Sequence, residues 1–321
     1  SEAFDMFDEE TLEALVEQSE IVRYRLQTVP FPLEKVQITG FTGSICIHIR
    51  GPETMARYLR MLFKFGEFAG VGIKTGMGMG GMKMIDQKIK LITGSLLHDI
   101  GKVVYREGSD RRNHSVSGYD FLKEEGKIED KEILDCVRYH HFSEIKSARL
   151  KEDNLAYIVY LADNIAAFAD RRKKEDTEEK GFDLSVPLQS VFNVLNGNNQ
   201  SFYYQPGDMD DQGQINYPAS EKKPFSREFY MKICQRMLDN FRGMNWSEEY
   251  LNSLLAVMEA NLSYMPSSTS NEELSDISLF DHVKLTAAIS SCIYDYLNEN
   301  HLSYKTELFD KKDFYDRNAF L

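Results

Sequence analysis

The chain holds one tryptophan, eight prolines and four cysteines in 321 residues. The cysteines, Cys46, Cys136, Cys234 and Cys292, lie far apart and form no C-x-x-C pair. That argues against a cysteine zinc site and against a disulfide framework, and leaves reduced, mostly buried thiols as the expectation. No apolar run reaches membrane-spanning length and no signal-peptide pattern opens the chain, so cytoplasm is the expected location. Positive charge is also scarce: 38 lysines and arginines stand against 51 acids, a formal net charge of −13. This balance argues against a protein coated by nucleic acid. It leaves room for a local patch, because Arg111-Arg112 and Arg171-Arg172-Lys173-Lys174 concentrate positive charge. The competing reading of these runs is solvated loop and helix-end charge.

Hydropathy patterning divides the chain. A helix is expected over 9–19, then a β-rich stretch over 36–50 that reads as two strands around Gly40 to Gly43. An amphipathic helix follows over 53–68, with Met55, Leu59, Leu62, Phe63, Phe65 and Phe68 as its buried face. From Asp86 helices dominate, over 87–105, 114–125, 130–142 and 153–173, and again over 226–242, 247–262 and 278–298. Asn113 is placed as a helix cap. The segment 207–224 is polar and reads as a loop. The fold class is α+β, with an α/β segment first and a mixed, mainly helical region last.

Between the β-rich stretch and the helices lies Gly70-Val-Gly72-Ile-Lys74-Thr75-Gly76-Met-Gly78-Met-Gly80-Gly81. Gly76, Gly78 and Gly81 make a formal G-x-G-x-x-G, but a helix precedes it and a short strand over 82–85 follows, the reverse of a dinucleotide fingerprint. No glycine directly precedes Lys74, so this is not a P-loop. Such a loop can present backbone N–H groups, Lys74 and Thr75 to phosphates. The order strand, helix, glycine-rich loop, strand resembles the C-terminal half of the CRISPR repeat-RNA processing endoribonucleases. The likeness covers residues 1–85 and implies a ferredoxin-like fold whose loop packs against RNA. Those enzymes usually carry their catalytic histidine in a first domain that this segment does not match. His48, in a strand, is not expected to be a general acid.

The chemistry concentrates further on. His98-Asp99 sits in Leu96-Leu97-His98-Asp99-Ile100-Gly101-Lys102, and His114, His140, His141 and Asp163 follow on successive expected helices. Imidazole with carboxylate suits a divalent transition metal better than calcium or magnesium. On one helix His98 and Asp99 would point about 100° apart, so they share a site if the ion lies over the helix edge or if Asp99 bridges two ions. The ligand set is His98, Asp99, His114, His140 and Asp163, with one of the adjacent His140 and His141 as the expected ligand. His98, Asp99 and Lys102 are the expected catalytic residues, and Lys102 can neutralise a phosphate. Lys74, Thr75, Arg111, Arg112, Arg171 and Arg172 are the candidates for nucleic-acid contact. Asp281-His282 is a second tempting pair, but Leu279, Val283 and Leu285 around it favour a structural or interdomain role.

The wording around these residues is similar to the N-terminal HD nuclease domain of the type III-A CRISPR effector large subunit. The stretches are Leu96 to Lys102, Asn113-His114-Ser-Val-Ser-Gly118, Arg138-Tyr139-His140-His141 and Leu161-Ala-Asp163-Asn164-Ile-Ala-Ala-Phe-Ala-Asp170-Arg171-Arg172. Pro187 to Phe192, Pro266 to Thr269 and Asp276 to Thr286 fit the same family. The resemblance implies a ferredoxin-like segment over 1–85, an HD domain over 86–184, and a linker with the start of a palm-type region over 185–321. It implies a metal-dependent nuclease for single-stranded DNA, using one or two ions of manganese, nickel or cobalt. CRISPR RNA, sister subunits and an activating target RNA are its implied partners, and no membrane. The family's Gly-Gly-Asp-Asp cyclase motif does not occur here, and the chain is expected to match only the front of the large subunit. Two other readings of the same residues are a nucleotide phosphohydrolase with a closed pocket and a non-catalytic RNA-binding assembly module.

Overall fold

In the computed structural model, residues 9–33, 36–72, 80–82, 86–108, 110–170, 172–174, 180–195, 200–205, 216–242, 244 and 248–311 are described. They divide into two compact units, Ser1–Asp86 with Asn298–His301, and Gln87–Leu297 with Leu302–Leu321. Lys74, Thr75, Gly76, Gly78 and Arg171 lie outside the described residues, as does most of the expected strand after the glycine loop.

The first unit is α1 (Glu9–Glu17), β1 (Ser19–Leu33), β2 (Val36–Ile49) and α2 (Glu53–Ala69). The strands form one antiparallel hairpin, with register from Ser19 opposite Ile49 to Leu33 opposite Val36. The expected turn at Gly40 to Gly43 is thus corrected: β2 runs straight through it. Glycine makes that passage possible, since Gly43 has φ +145° and an added Cβ would lie 1.9 Å from the Arg25 carbonyl oxygen. On α2, Leu59 is buried, but Phe65 and Phe68 are 68% and 89% exposed, which corrects their expected burial. Periodicity named the apolar stripe without showing that its far end goes uncovered.

The second unit is helical: α3 (Gln87–Leu97), α4 (Gly101–Glu107), α5 (His114–Asp120), α6 (Lys131–Arg138), α7 (Phe142–Ser147), α8 (Ala156–Asp170), α9 (Phe192–Leu195), α10 (Arg227–Phe241), α11 (Glu248–Leu262) and α12 (Leu279–Glu299). Capping chemistry sets several boundaries. Asn113 accepts from Ser115 N, Asp130 from Glu132 N and Ile133 N, and Ser226 from Phe229 N. The helices expected over 87–105 and 130–142 are each broken, one at 98–100 and the other at 139–141. Both breaks carry histidines.

Two apolar clusters hold the unit together. One joins Leu96, Leu97, Ile100 and Val103 to Met237, Leu254, Met258 and Leu279. The other centres on α8, through Ile158, Val159, Leu161 and Ala162. α12 spans both, with Val283 and Ala287 in the first and Ile293 and Leu297 in the second. Residues on both sides of position 185 therefore share one core, which is what brings α12 to the HD stretch. α4 and α5 meet backbone to backbone: an added Cβ on Gly101 would lie 1.8 Å from the His114 carbonyl oxygen and 2.7 Å from Gly118 N. That contact seats His114 beside the 98–100 turn. None of the four cysteines is in a disulfide; Cys136 is buried, Cys46 and Cys234 are half-buried and Cys292 is exposed, against the expectation of mostly buried thiols. No described helix is long and apolar enough to cross a membrane.

Candidate metal centre

The break after α3 solves the angular problem that a continuous helix would have posed. His98 and Asp99 occupy a turn in which Ile100 N bonds Leu97 O and Lys102 N bonds Asp99 O, so both side chains reach the same interior. His98 Nδ1 lies 2.7 Å from Ser95 O. A carbonyl can only accept, so Nδ1 carries a hydrogen and Nε2 is the nitrogen left to face the centre. His140 repeats the device, with Nδ1 2.7 Å from Val137 O.

His98, Asp99, Asp163 and His282 bring their ligand atoms within 4.8 Å of one another, and all four are buried. His98 Nε2 is 3.5 Å from Asp99 Oδ2 and 3.6 Å from Asp163 Oδ1. His282 Nε2 is 3.3 Å from Asp99 Oδ2 and 3.1 Å from Asp163 Oδ1. A second group, His114, His140 and His141, is equally compact. His114 Nε2 lies 2.8 Å from His141 Nε2, 3.3 Å from His140 Nε2 and 3.2 Å from Asp99 Oδ1. Asp99 thus turns Oδ2 to one group and Oδ1 to the other. Imidazole nitrogens 2.8 Å apart need a proton or a cation between them. Buried His98 Nε2 and His282 Nε2 make no hydrogen bond of proper geometry. These atoms converge on one space beside two carboxylates, which is the donor set of a divalent cation.

Charge follows from burial and neighbours. Burial alone would raise Asp99, but Lys102, with Nζ 2.5 Å from Oδ2, and His98, His114 and His282 outweigh it and hold the carboxyl well below its usual range. Asp163 is lowered in the same way, burial being outweighed by the neighbouring His282 and His98 rings. Burial, with His141 and His98 adding to it, keeps His140 well below the usual imidazole range. His141 falls to about 4, from burial first and then His114. For His282 burial opposes protonation, but Asp163, Asp170 and Asp99 prevail and push it up to about 10. His98 and His140 are fully buried, whereas the side chains of His114 and Lys102 are 23% and 18% exposed, so solvent reaches the centre from their side.

Each sequence candidate has a place. His98, Asp99, His114, His140, Asp163 and Lys102 converge. His141, set aside as the second of two adjacent histidines, joins the group with His140, because the chain is extended there and both side chains reach His114. The reading of Asp281-His282 divides. Asp281 belongs to the helix cap: Ser278 is the capping residue, its Oγ accepting from Asp281 N at 3.0 Å and donating to Asp281 Oδ2 at 2.7 Å. His282, given a structural role, instead faces the centre. Its signal was its position on the buried row Leu279, Val283, Thr286, where a polar ring needs partners. Of the basic candidates, Arg112 is paired with Asp110 and Asp120, and Arg172 with Asp276, while Arg111 is exposed.

Comparison with known proteins adds the following. The family model described as HD domain matches residues 64–167, and that of the CRISPR-associated endoribonuclease Cas6 matches residues 4–82. The CRISPR system single-strand-specific deoxyribonuclease Cas10/Csm1 (subtype III-A) of Enterococcus italicus is 39% identical over 251 residues, 74% of this chain and 33% of that protein. Its counterpart from Mycobacterium tuberculosis is 38% identical over 268 residues, again 74% and 33%. The Cas6 endoribonuclease of Streptococcus thermophilus is 41% identical over 81 residues, 25% of this chain and 33% of that one. The crystal structure of Csm1 from T. onnurineus superposes with TM-score 0.51 at 24% identity, over 67% of this chain and 29% of that one, a likeness of fold. The chain spans about a third of the length of the Cas10/Csm1 relatives it matches. His282 lies outside the stretch matched by the HD family.

Proposed function

We propose that the chain, 39% identical over 74% of its length to a type III-A Cas10/Csm1 protein and beginning with a Cas6-like segment, is the metal-dependent single-stranded DNA nuclease module of a type III CRISPR effector acting in antiviral defence. The observation that carries this is Asp99, whose two oxygens face two separate histidine groups. The proposed division is a Cas6-like segment over 1–85 and an HD domain from 86, with α12, from the region after 184, adding His282. The proposed partners are CRISPR RNA, sister subunits and an activating target RNA, with the Cas6-like segment as a candidate for RNA contact.

A divalent ion here supplies Lewis acidity toward a phosphodiester and its attacking water, and the imidazole-rich set favours manganese, nickel or cobalt. The side chains do the rest. Asp99 and Asp163 contribute the negative charge, and His98, His140 and His282 aim Nε2 inward. His141, titrating at about 4, stays neutral at working pH and is available as a ligand or proton acceptor. Lys102, half-buried at the open side, stands where a phosphate approaches Asp99 and offsets its charge.

With manganese, nickel or cobalt, the purified chain is expected to cut labelled single-stranded DNA in preference to single-stranded RNA and free nucleotides. Faster hydrolysis of nucleotides than of DNA would replace this reading with the phosphohydrolase. A pH dependence follows from His282, whose value of about 10 in the fold exceeds the ordinary 6.5. Its contribution to the stability of the chelated protein is fully present below pH 6.5 and is lost as pH rises through about 10. Melting temperature after chelation should therefore drop from pH 7 toward 10 through this group. Manganese affinity should rise over the same range, because the ion displaces that proton. Calorimetry in buffers of different ionisation heat reads the release directly, and zero protons released at pH 7.5 would contradict the assignment.

A further inference from the structure

Three buried imidazoles, His98, His140 and His282, direct Nε2 into the centre, and each needs its Nδ1–H taken up elsewhere. His98 and His140 give theirs to the carbonyl three residues back, which is free because each lies where a helix has just ended. His282 has no such carbonyl, since it sits in the first turn of α12. Its Nδ1 donates instead to Asp170 Oδ2 at 2.8 Å, from the last residue of α8, 112 positions away in sequence. Both side chains are nearly buried, at 3% and 10% exposure. Asp170 is absent from the groups whose atoms converge on the centre. It touches the ring from behind.

We infer that Asp170 is the positioning residue of the metal centre: it fixes the tautomer and orientation of His282 so that Nε2 serves as ligand beside Asp99 and Asp163. A carboxylate behind a ligating imidazole also raises the basicity of the ligand nitrogen, and losing such a partner typically weakens metal binding about 10–100-fold. Asp170 is itself held from outside. Arg172, just past the end of α8, places Nη2 2.9 Å from Asp276 Oδ2, and its carbonyl accepts from Leu274 N at 2.8 Å. These bonds tie the end of α8 to the segment that leads into α12. Arg172, a nucleic-acid candidate by sequence, is engaged in that tie.

The inference rests on the proposed metal centre but not on the identity of the substrate, so it is tested by metal affinity. Mn2+ binding is measured by titration calorimetry on the full chain, for wild type, Asp170→Ala, Asp170→Asn and Asp281→Asn. Asp170→Ala is expected to weaken Mn2+ binding about 10–100-fold, and Asp170→Asn less, since its amide oxygen still accepts from Nδ1. Asp281→Asn, at the exposed cap of the same helix, should bind as wild type. A purely structural link between α8 and α12 would lower the melting temperature of Asp170→Ala and leave its affinity unchanged, and that result overturns the inference. Should Asp170→Ala fail to fold, ¹⁵N spectra of the Zn2+-loaded wild type decide: the His282 hydrogen is expected on Nδ1, and a hydrogen on Nε2 overturns the assignment. Wild-type protein that binds no Mn2+ overturns both the centre and its positioning residue. Binding that depends on Asp170 without DNA cleavage leaves the positioning role standing and removes the nuclease reading alone.

Discussion

Replacing His98 and Asp99 together by alanine is expected to abolish metal-dependent cleavage of single-stranded DNA, with a fall of at least about 10³-fold in turnover. The geometry adds a sharper expectation. Asp99 Oδ2 serves the group of His98, Asp163 and His282, and Oδ1 faces His114 and His140. One residue removed therefore opens both groups. Asp99→Ala alone should lose nearly as much activity as the double variant, because residues that act as a unit are not additive. His98→Ala should lose less, since Asp163, His282 and Asp99 remain converged. The rates are measured on labelled single-stranded DNA with saturating manganese. Cleavage by the double variant at the wild-type rate would remove the nuclease assignment.

Gly101→Ala is expected to destabilise the fold by about 3 kcal/mol or more, an overpacking effect at the upper end of its usual range. The sign is what makes this prediction useful. Glycine to alanine within a helix ordinarily gains up to about 1 kcal/mol. Here the new methyl would sit 1.8 Å from the His114 carbonyl oxygen and 2.7 Å from Gly118 N, and both obstacles are backbone. A backbone segment cannot rotate aside as a side chain does, so α5 must retreat and carry His114 away from Asp99. Melting should fall by about 6–12 °C for a unit of this size. Manganese affinity should fall with it, and an unchanged melting temperature would show that α4 and α5 do not touch at Gly101.

Much of the centre was legible because chemistry is written in residue types. His98-Asp99, His114, His140 and Asp163 are sparse residues in regular order, and the helices that carry them follow from apolar periodicity. His282 was hidden by distance along the chain. It belongs to a helix that periodicity describes correctly, yet only the shared core between α3, α8 and α12 turns its buried face toward Asp99. Position on the buried row was the available clue, but the apolar neighbours Leu279, Val283 and Leu285 pointed to a structural role. The break at 98–100 was hidden for another reason. Leu97, Ile100 and Val103 continue the apolar pattern across it, and only Gly101 signals that the next helix starts anew against α5. In the N-terminal hairpin, glycines that ordinarily mark a turn serve a continuous strand, since Gly43 passes close to the backbone of Arg25.

In the proposed function Asp99 joins two groups of side chains into one metal centre. That role is tested most directly by the manganese content of desalted protein, wild type against Asp99→Ala, determined by elemental analysis after identical loading. Manganese is expected to be retained by the wild type and lost from Asp99→Ala. Wild-type protein without bound manganese, or equal retention by the two, would contradict it.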